Sequence, residues 1–130
     1  MNVVVGAHLP PVAYTPSRLQ LFRFSAVTWN AHRIHYDQPY ARSEGHADVV
    51  VQSTLRGEQL LQVVRAWVGD QGEIRAFEWR NVQPAYAEQT LTGHGAVVAV
   101  DADAVTIELE ARDANGAVVT AGRATVLVTS

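Results

Sequence analysis

The chain reads as an α+β domain, and three observations carry that reading. Residues 54–68 have one long run of helical spacing, with Leu60, Leu61, Val64 and Val68 recurring on a single face. Everything after Gly72 reads as strands, in four successive runs. The last two runs are joined by Asp113-Ala114-Asn115-Gly116, a hairpin signal. A long helix after two short elements, followed by an antiparallel meander, is the pattern of an α+β fold.

Taken in order, Val3, Val4 and Val5 form a β-branched run suited to an edge strand. Residues 8–16 contain Pro10, Pro11 and Pro16, and proline fixes φ and removes backbone donors, so irregular structure is expected there. Thr15 followed by Pro16 reads as a helix start, with Thr15 as N-cap and a short helix over residues 17–27. Leu19, Phe22 and Ala26 follow helical spacing within it. The triplet Val49, Val50 and Val51 precedes Ser53, the expected N-cap of the long helix. Gly57 costs that helix propensity, which points to a close approach by sheet or ligand. The segment 69–72, with Gly69 and Gly72, closes it.

The strand runs are 73–82, interrupted afterwards by Pro84, then 88–100, 104–112 and 117–128. Asn115-Gly116 suits a two-residue type I′ turn. That turn pairs Val105 with Val126, Ile107 with Ala124 and Leu109 with Gly122, which puts all six on one apolar face. The small residues Gly122 and Ala124 then leave room for a helix to lie against the sheet.

At 130 residues the chain is expected to be one domain, residues 1–130, with a single core. Hydrophobic residues at 48% and charged ones at 18% fit an ordinary globular protein. A net charge of −3 without runs of like charge argues against a nucleic-acid or anionic-membrane surface. The ten basic residues are all arginine, which excludes Schiff-base chemistry on lysine. Cysteine is absent, which removes disulfides, thiolate catalysis and zinc–thiolate sites. No signal peptide or membrane span is visible, so a cytoplasmic protein is the expectation.

The densest chemistry lies in residues 24–37, where Asn30, His32, Arg33, His35 and Asp37 fall within one short segment. An imidazole titrates near neutral pH and can take and return protons with little tuning. His32 and His35 have a spacing that can suggest a metal pair, but no third ligand of suitable spacing lies nearby. No metal and no cofactor is expected. His46 and His94 have no supporting context and read as surface or strand residues.

The string Asn30-x-His32-Arg33-Ile34-His35-Tyr36-Asp37 resembles the active-site loop of the MaoC-like (R)-specific enoyl hydratases and 3-hydroxyacyl-thioester dehydratases. The resemblance is strongest over residues 15–61. It implies a hot-dog fold, an antiparallel sheet wrapped around the long helix, and a homodimer or larger homo-oligomer. It also implies a lyase that adds water to a 2-enoyl thioester, or removes it from a 3-hydroxyacyl thioester, carried on CoA or acyl-carrier protein. His35 then takes the place of the catalytic acid/base. His32 and Asp37 become supporting residues, and Arg33 a candidate contact for a phosphate of the carrier arm.

Two positions depart from that pattern. Asn30 stands where the general hydratase loop has an aspartate; an amide can hold a water molecule but cannot take its proton. On this reading His35 moves the proton alone and Asn30 positions the water. Gln52-Ser53 stands where the family reads His-Gly, at a helix start whose backbone N–H groups would bind the thioester carbonyl as charge develops. The backbone donor survives at Ser53, while its Cβ narrows the space for the thioester. Two other readings stay open: a hot-dog thioesterase, against which counts the absence of a carboxylate in residues 49–57, and a non-catalytic acyl-thioester binder or partner subunit.

Overall fold

The computed structural model describes residues 1–129. Five antiparallel strands form one sheet: β1 (His8–Tyr14), β2 (Gly72–Asn81), β3 (Leu91–Asp101), β4 (Ala104–Arg112) and β5 (Val118–Val128). Their order across the sheet is β1-β3-β4-β5-β2, so β1 and β2 are its two edges. The long helix, α3 (Ser53–Val68), packs against all five strands. Leu55, Leu60, Val63, Val64 and Val68 point from it into a core completed by Val97, Val105, Ile107, Leu109, Ala124 and Val126. A sheet curled around one central helix is the hot-dog arrangement.

The hairpin pairs Val105 with Val126, Ile107 with Ala124 and Leu109 with Gly122, as the alternation of apolar residues requires. The turn that produces this register differs from the expected type I′. Asn115 does not take a positive φ, Gly116 does (82°), and Asp113 both donates to and accepts from the far side of the loop. The loop is therefore one residue longer, with Gly116 in the left-handed region that glycine tolerates. An irregularity between Ala111 and Arg112 absorbs the extra residue and restores the register. The buried face thus outweighs the turn in fixing the pairing.

The N-terminal third departs further from expectation. Residues 3–5 are not a strand; residues 4–6 form a bend and turn. The first strand runs instead through the proline segment. β1 accommodates Pro10 and Pro11 because it is an edge strand, and its register shifts between Leu9 and Val12 where the prolines sit. Missing donors are tolerated at an edge or a bulge and nowhere else in a sheet. The cap of α1 (Arg18–Thr28) is Ser17, whose hydroxyl accepts from the Gln20 N–H at 3.0 Å; Thr15 instead meets Thr90 at 2.8 Å. α1 thus starts later than expected, while α3 starts one residue early, with Gln52 at the N-cap position and Ser53 as the first helical residue. Residues 88–90 lie outside β3, and a short helix, α2 (Gln38–Ser43), follows the histidine loop.

Gly57 has the close approach its position suggested. The indole of Trp79 lies against it so tightly that an added Cβ would overlap the ring. The Trp79 Nε1–H donates to the Ser53 carbonyl at 3.2 Å, which ties the start of α3 to edge strand β2.

Candidate active site

Residues 33–35 form a single 3₁₀ turn between α1 and α2, and each polar residue around it has a distinct local task. Its N-cap is His32, whose Nδ1 accepts from the Ile34 N–H at 3.3 Å; among the described residues it makes no hydrogen bond to Asp37. Asp37 caps α2 by accepting from the Tyr40 N–H at 3.2 Å, and it holds Arg33 in an ion pair at 2.7 Å. The Arg33 guanidinium lies 4.3 Å over the Tyr40 ring. That guanidinium, with the Tyr40 N–H, holds the half-buried Asp37 carboxyl below its usual range. These contacts turn the chain sharply enough to aim His35 inward.

His35 is 7% exposed. Its Nδ1 lies 2.7 Å from the Val50 carbonyl oxygen, an acceptor, so Nδ1 carries the proton and Nε2 keeps a free lone pair. Burial pushes the imidazole pKa below its ordinary value; the Val50 bond opposes that shift, and His32 and His46 add to it. The shift favours the neutral ring, whose Nε2 lone pair can accept a proton.

His35 opens onto a cleft of about 370 Å³. Val50 and Val51, Ser53 and Arg56 at the start of α3, His46, and the loop of residues 81–84 complete its walls. Among the described residues no side chain caps the first turn of α3, which leaves its backbone N–H groups available where Ser53 borders the cleft. The Ser53 hydroxyl accepts from the Asn81 amide at 2.8 Å, which draws it towards β2. Among the described residues no carboxylate lines the cleft.

Of the sequence candidates, His35 and Ser53 meet in this cleft. The Gln52 side chain does not: it is fully buried and donates to the Leu21 carbonyl at 2.7 Å and the Ser25 hydroxyl at 2.9 Å, fastening α1 to the start of α3. Asn30 follows the left-handed Trp29 that ends α1, and its Oδ1 accepts from the His32 N–H at 3.4 Å. Neither Asn30 nor Arg33 lines the cleft. Among the described residues, no three His, Asp or Glu side chains converge as a metal site.

Two residues of the cleft escaped the sequence reading. His46 is not a bystander on the surface but a cleft residue, brought there by the loop after α2. Only the three-dimensional fold reveals that. Arg56 left a readable signal: it lies four residues before Leu60, on the buried face of α3.

A buried histidine and the uncapped start of α3 thus border one cleft, with no acidic side chain among its described walls. A family model for hydroxyacyl-thioester dehydratase type 2 matches residues 8–87. The chain belongs to that family. It is 40% identical over 85 residues to mesaconyl-C(4)-CoA hydratase of Chloroflexus aurantiacus, covering 60% of this chain and 30% of that protein. It is 32% identical over 80 residues to the mitochondrial hydroxyacyl-thioester dehydratase type 2 of Schizosaccharomyces pombe, covering 60% and 27%. The chain therefore spans under a third of the length of these two relatives.

The 3-oxo-4,17-pregnadiene-20-carboxyl-CoA hydratase beta subunit of Mycobacterium tuberculosis is matched along nearly its whole length, at 28% identity over 118 residues, 91% of this chain and 92% of that one. Among solved structures, a chain of the ChsH1–ChsH2 complex of M. tuberculosis superposes with TM-score 0.88 at 24% identity, covering 98% of this chain and 99% of that one. An (R)-hydratase from A. caviae gives TM-score 0.88 at 16% identity, covering 96% of each. At these identities the likeness establishes the hot-dog fold. In the described residues no helix is long and apolar enough to cross a membrane.

Proposed function

We propose that this chain is a lyase that reversibly adds water to a 2-enoyl thioester, with His35 as the acid/base. The observation that carries the reading is the His35–Val50 bond, which fixes the tautomer and leaves Nε2 free towards the cleft. In hydration, Nε2 takes a proton from water as its oxygen bonds to the β-carbon. Electrons move through the double bond onto the thioester oxygen, and the same proton is then available to the α-carbon. Dehydration is the reverse. The N–H groups at the start of α3 supply hydrogen bonds to the enolate-like oxygen where charge develops.

Asn30 is assigned the water-holding role that its place in the loop implies. In favour of it, the amide Nδ2 makes no hydrogen bond among the described residues; against it, Asn30 lies outside the cleft wall. Arg33 is exposed and free to reach a carrier phosphate only by giving up its Asp37 pair. The thioester would ride on CoA or a carrier protein.

A second reading as a thioesterase has no carboxylate in the cleft to support it. A binder or subunit role has more support, because related solved structures include two-chain complexes. The chain is proposed to work as an assembly, either with its own copy or with a related hot-dog subunit. Incubation of the purified chain with crotonyl-CoA tests the reading. Loss of the conjugated enoyl absorbance without free-thiol release supports a hydratase, and thiol release identifies a thioesterase. The absence of both changes counts against a lyase acting alone on crotonyl-CoA and in favour of the binder or subunit role.

A further inference from the structure

Arg56 is the one buried arginine in the described residues, 2% exposed. Six others pair with carboxylates near the surface, while Arg56 has no acidic partner among the described residues. Its Nη2 donates to the Val119 carbonyl and to the Thr120 hydroxyl, the latter at 3.0 Å, anchoring the side chain to β5. Nε is buried with no acceptor, and Nη1 makes no hydrogen bond among the described residues. A buried charge left this way is costly unless something pairs with it. Arg56 nevertheless borders the His35 cleft, whose walls carry no carboxylate.

We propose that Arg56 forms an anion subsite in this cleft that receives a carboxylate on the acyl group, so that the favoured substrates are monothioesters of dicarboxylic acids. The proposal rests on the cleft being the acyl-thioester site. Nε is enclosed by protein, so Nη1 is the donor left for a ligand; a carboxylate offers it an acceptor, and charge-assisted bonds of this kind are the strong ones. A phosphate of the carrier is the other anion such a ligand brings. It is separated from the thioester by the whole pantetheine arm, whereas Arg56 sits one turn from the helix start that faces the thioester carbonyl.

Calorimetric binding of two saturated acyl-CoA ligands, freshly prepared and not consumable by hydration, to the full chain tests this. Succinyl-CoA and butyryl-CoA share the carrier and differ in the acyl carboxylate. The unaltered protein is expected to bind succinyl-CoA roughly 10- to 100-fold tighter. Arg56→Gln is expected to bring that ratio to about 1, and Arg56→Lys to retain part of it. Equal affinities in the unaltered protein overturn the proposal, and that result needs no variant to fold. A preference that survives Arg56→Gln overturns it as well. Equal weakening of both ligands by Arg56→Gln assigns the guanidinium to a carrier phosphate, and also overturns it. Tight, Arg56-dependent succinyl-CoA binding without hydration of any enoyl thioester would support the subsite and contradict the lyase reading. Hydration of crotonyl-CoA with equal binding of the two ligands would do the reverse.

Discussion

His35 Nδ1 sits 2.7 Å from the carbonyl oxygen of Val50, fifteen residues along the chain and just before α3. This bond joins the histidine loop to the helix start, so the proposed acid/base and the proposed carbonyl donors are held in one frame. It also fixes which ring nitrogen is free, and catalytic geometry depends on supports of this kind.

The pH dependence follows from the burial of the same ring. His35 has its pKa lowered, chiefly by desolvation, below the ordinary 6.5. Hydration needs the neutral ring, so kcat/KM is expected to be flat above neutrality and to fall on acidification through a value below 6.5. Folding is linked in the same direction: the unfolded chain binds the proton more readily, so this contribution to stability is present above 6.5 and lost as pH falls through the folded-state pKa. An acidic limb centred at or above pH 7 in the rate profile contradicts the assignment.

Asn30 separates a water-holding role from a turn-forming one. If its amide holds the attacking water, Asn30→Ala lowers turnover by about one to two orders of magnitude, within the range of positioning effects. Its melting temperature then changes little, and Asn30→Asp keeps or raises activity. An Asn30→Ala protein that melts much earlier but turns over normally when folded assigns the residue to its bond with the His32 N–H.

Gly57→Ala tests the Trp79 contact. The new methyl overlaps the indole, and overpacking of this kind costs about 1–3 kcal/mol. Helix propensity returns up to about 1 kcal/mol, so a net loss of stability is expected. Thermal unfolding should show a drop of several degrees, and an unchanged or higher melting temperature would mean that Trp79 yields freely.

Assembly is open to direct measurement. The sheet has two edges, β1 and β2, and the outer side of α1 leaves Leu19, Phe22, Val27 and, at its end, the 93%-exposed Trp29 in the open. Unpaired edges and clustered apolar side chains are commonly covered in solution. Light scattering at micromolar concentration is expected to give at least a dimer for the chain alone or with a related subunit. A monomer that hydrates enoyl thioesters by itself contradicts this.

The C-terminal half was legible in the sequence because one face of each strand is buried. Period-two alternation in β4 and β5 fixed the pairing even though the turn was of another type. The N-terminal segment was not, because local rules compete there. Pro10 and Pro11 speak against a strand unless the strand is an edge, and edge position is a property of the whole sheet. In the site, His35 was visible from its loop. The inward turn of Gln52 was not, since its partners Leu21 and Ser25 lie on a helix distant in sequence. His46 reached the cleft through the path of a loop, which no local pattern encodes.

The most direct test of the central claim is the rate of crotonyl-CoA hydration by the unaltered chain beside His35→Ala, at matched melting temperature. Removing an acid/base group typically costs about 10²- to 10⁴-fold, and a loss of that size is expected here with the fold intact. Equal rates in the two folded proteins would contradict the account.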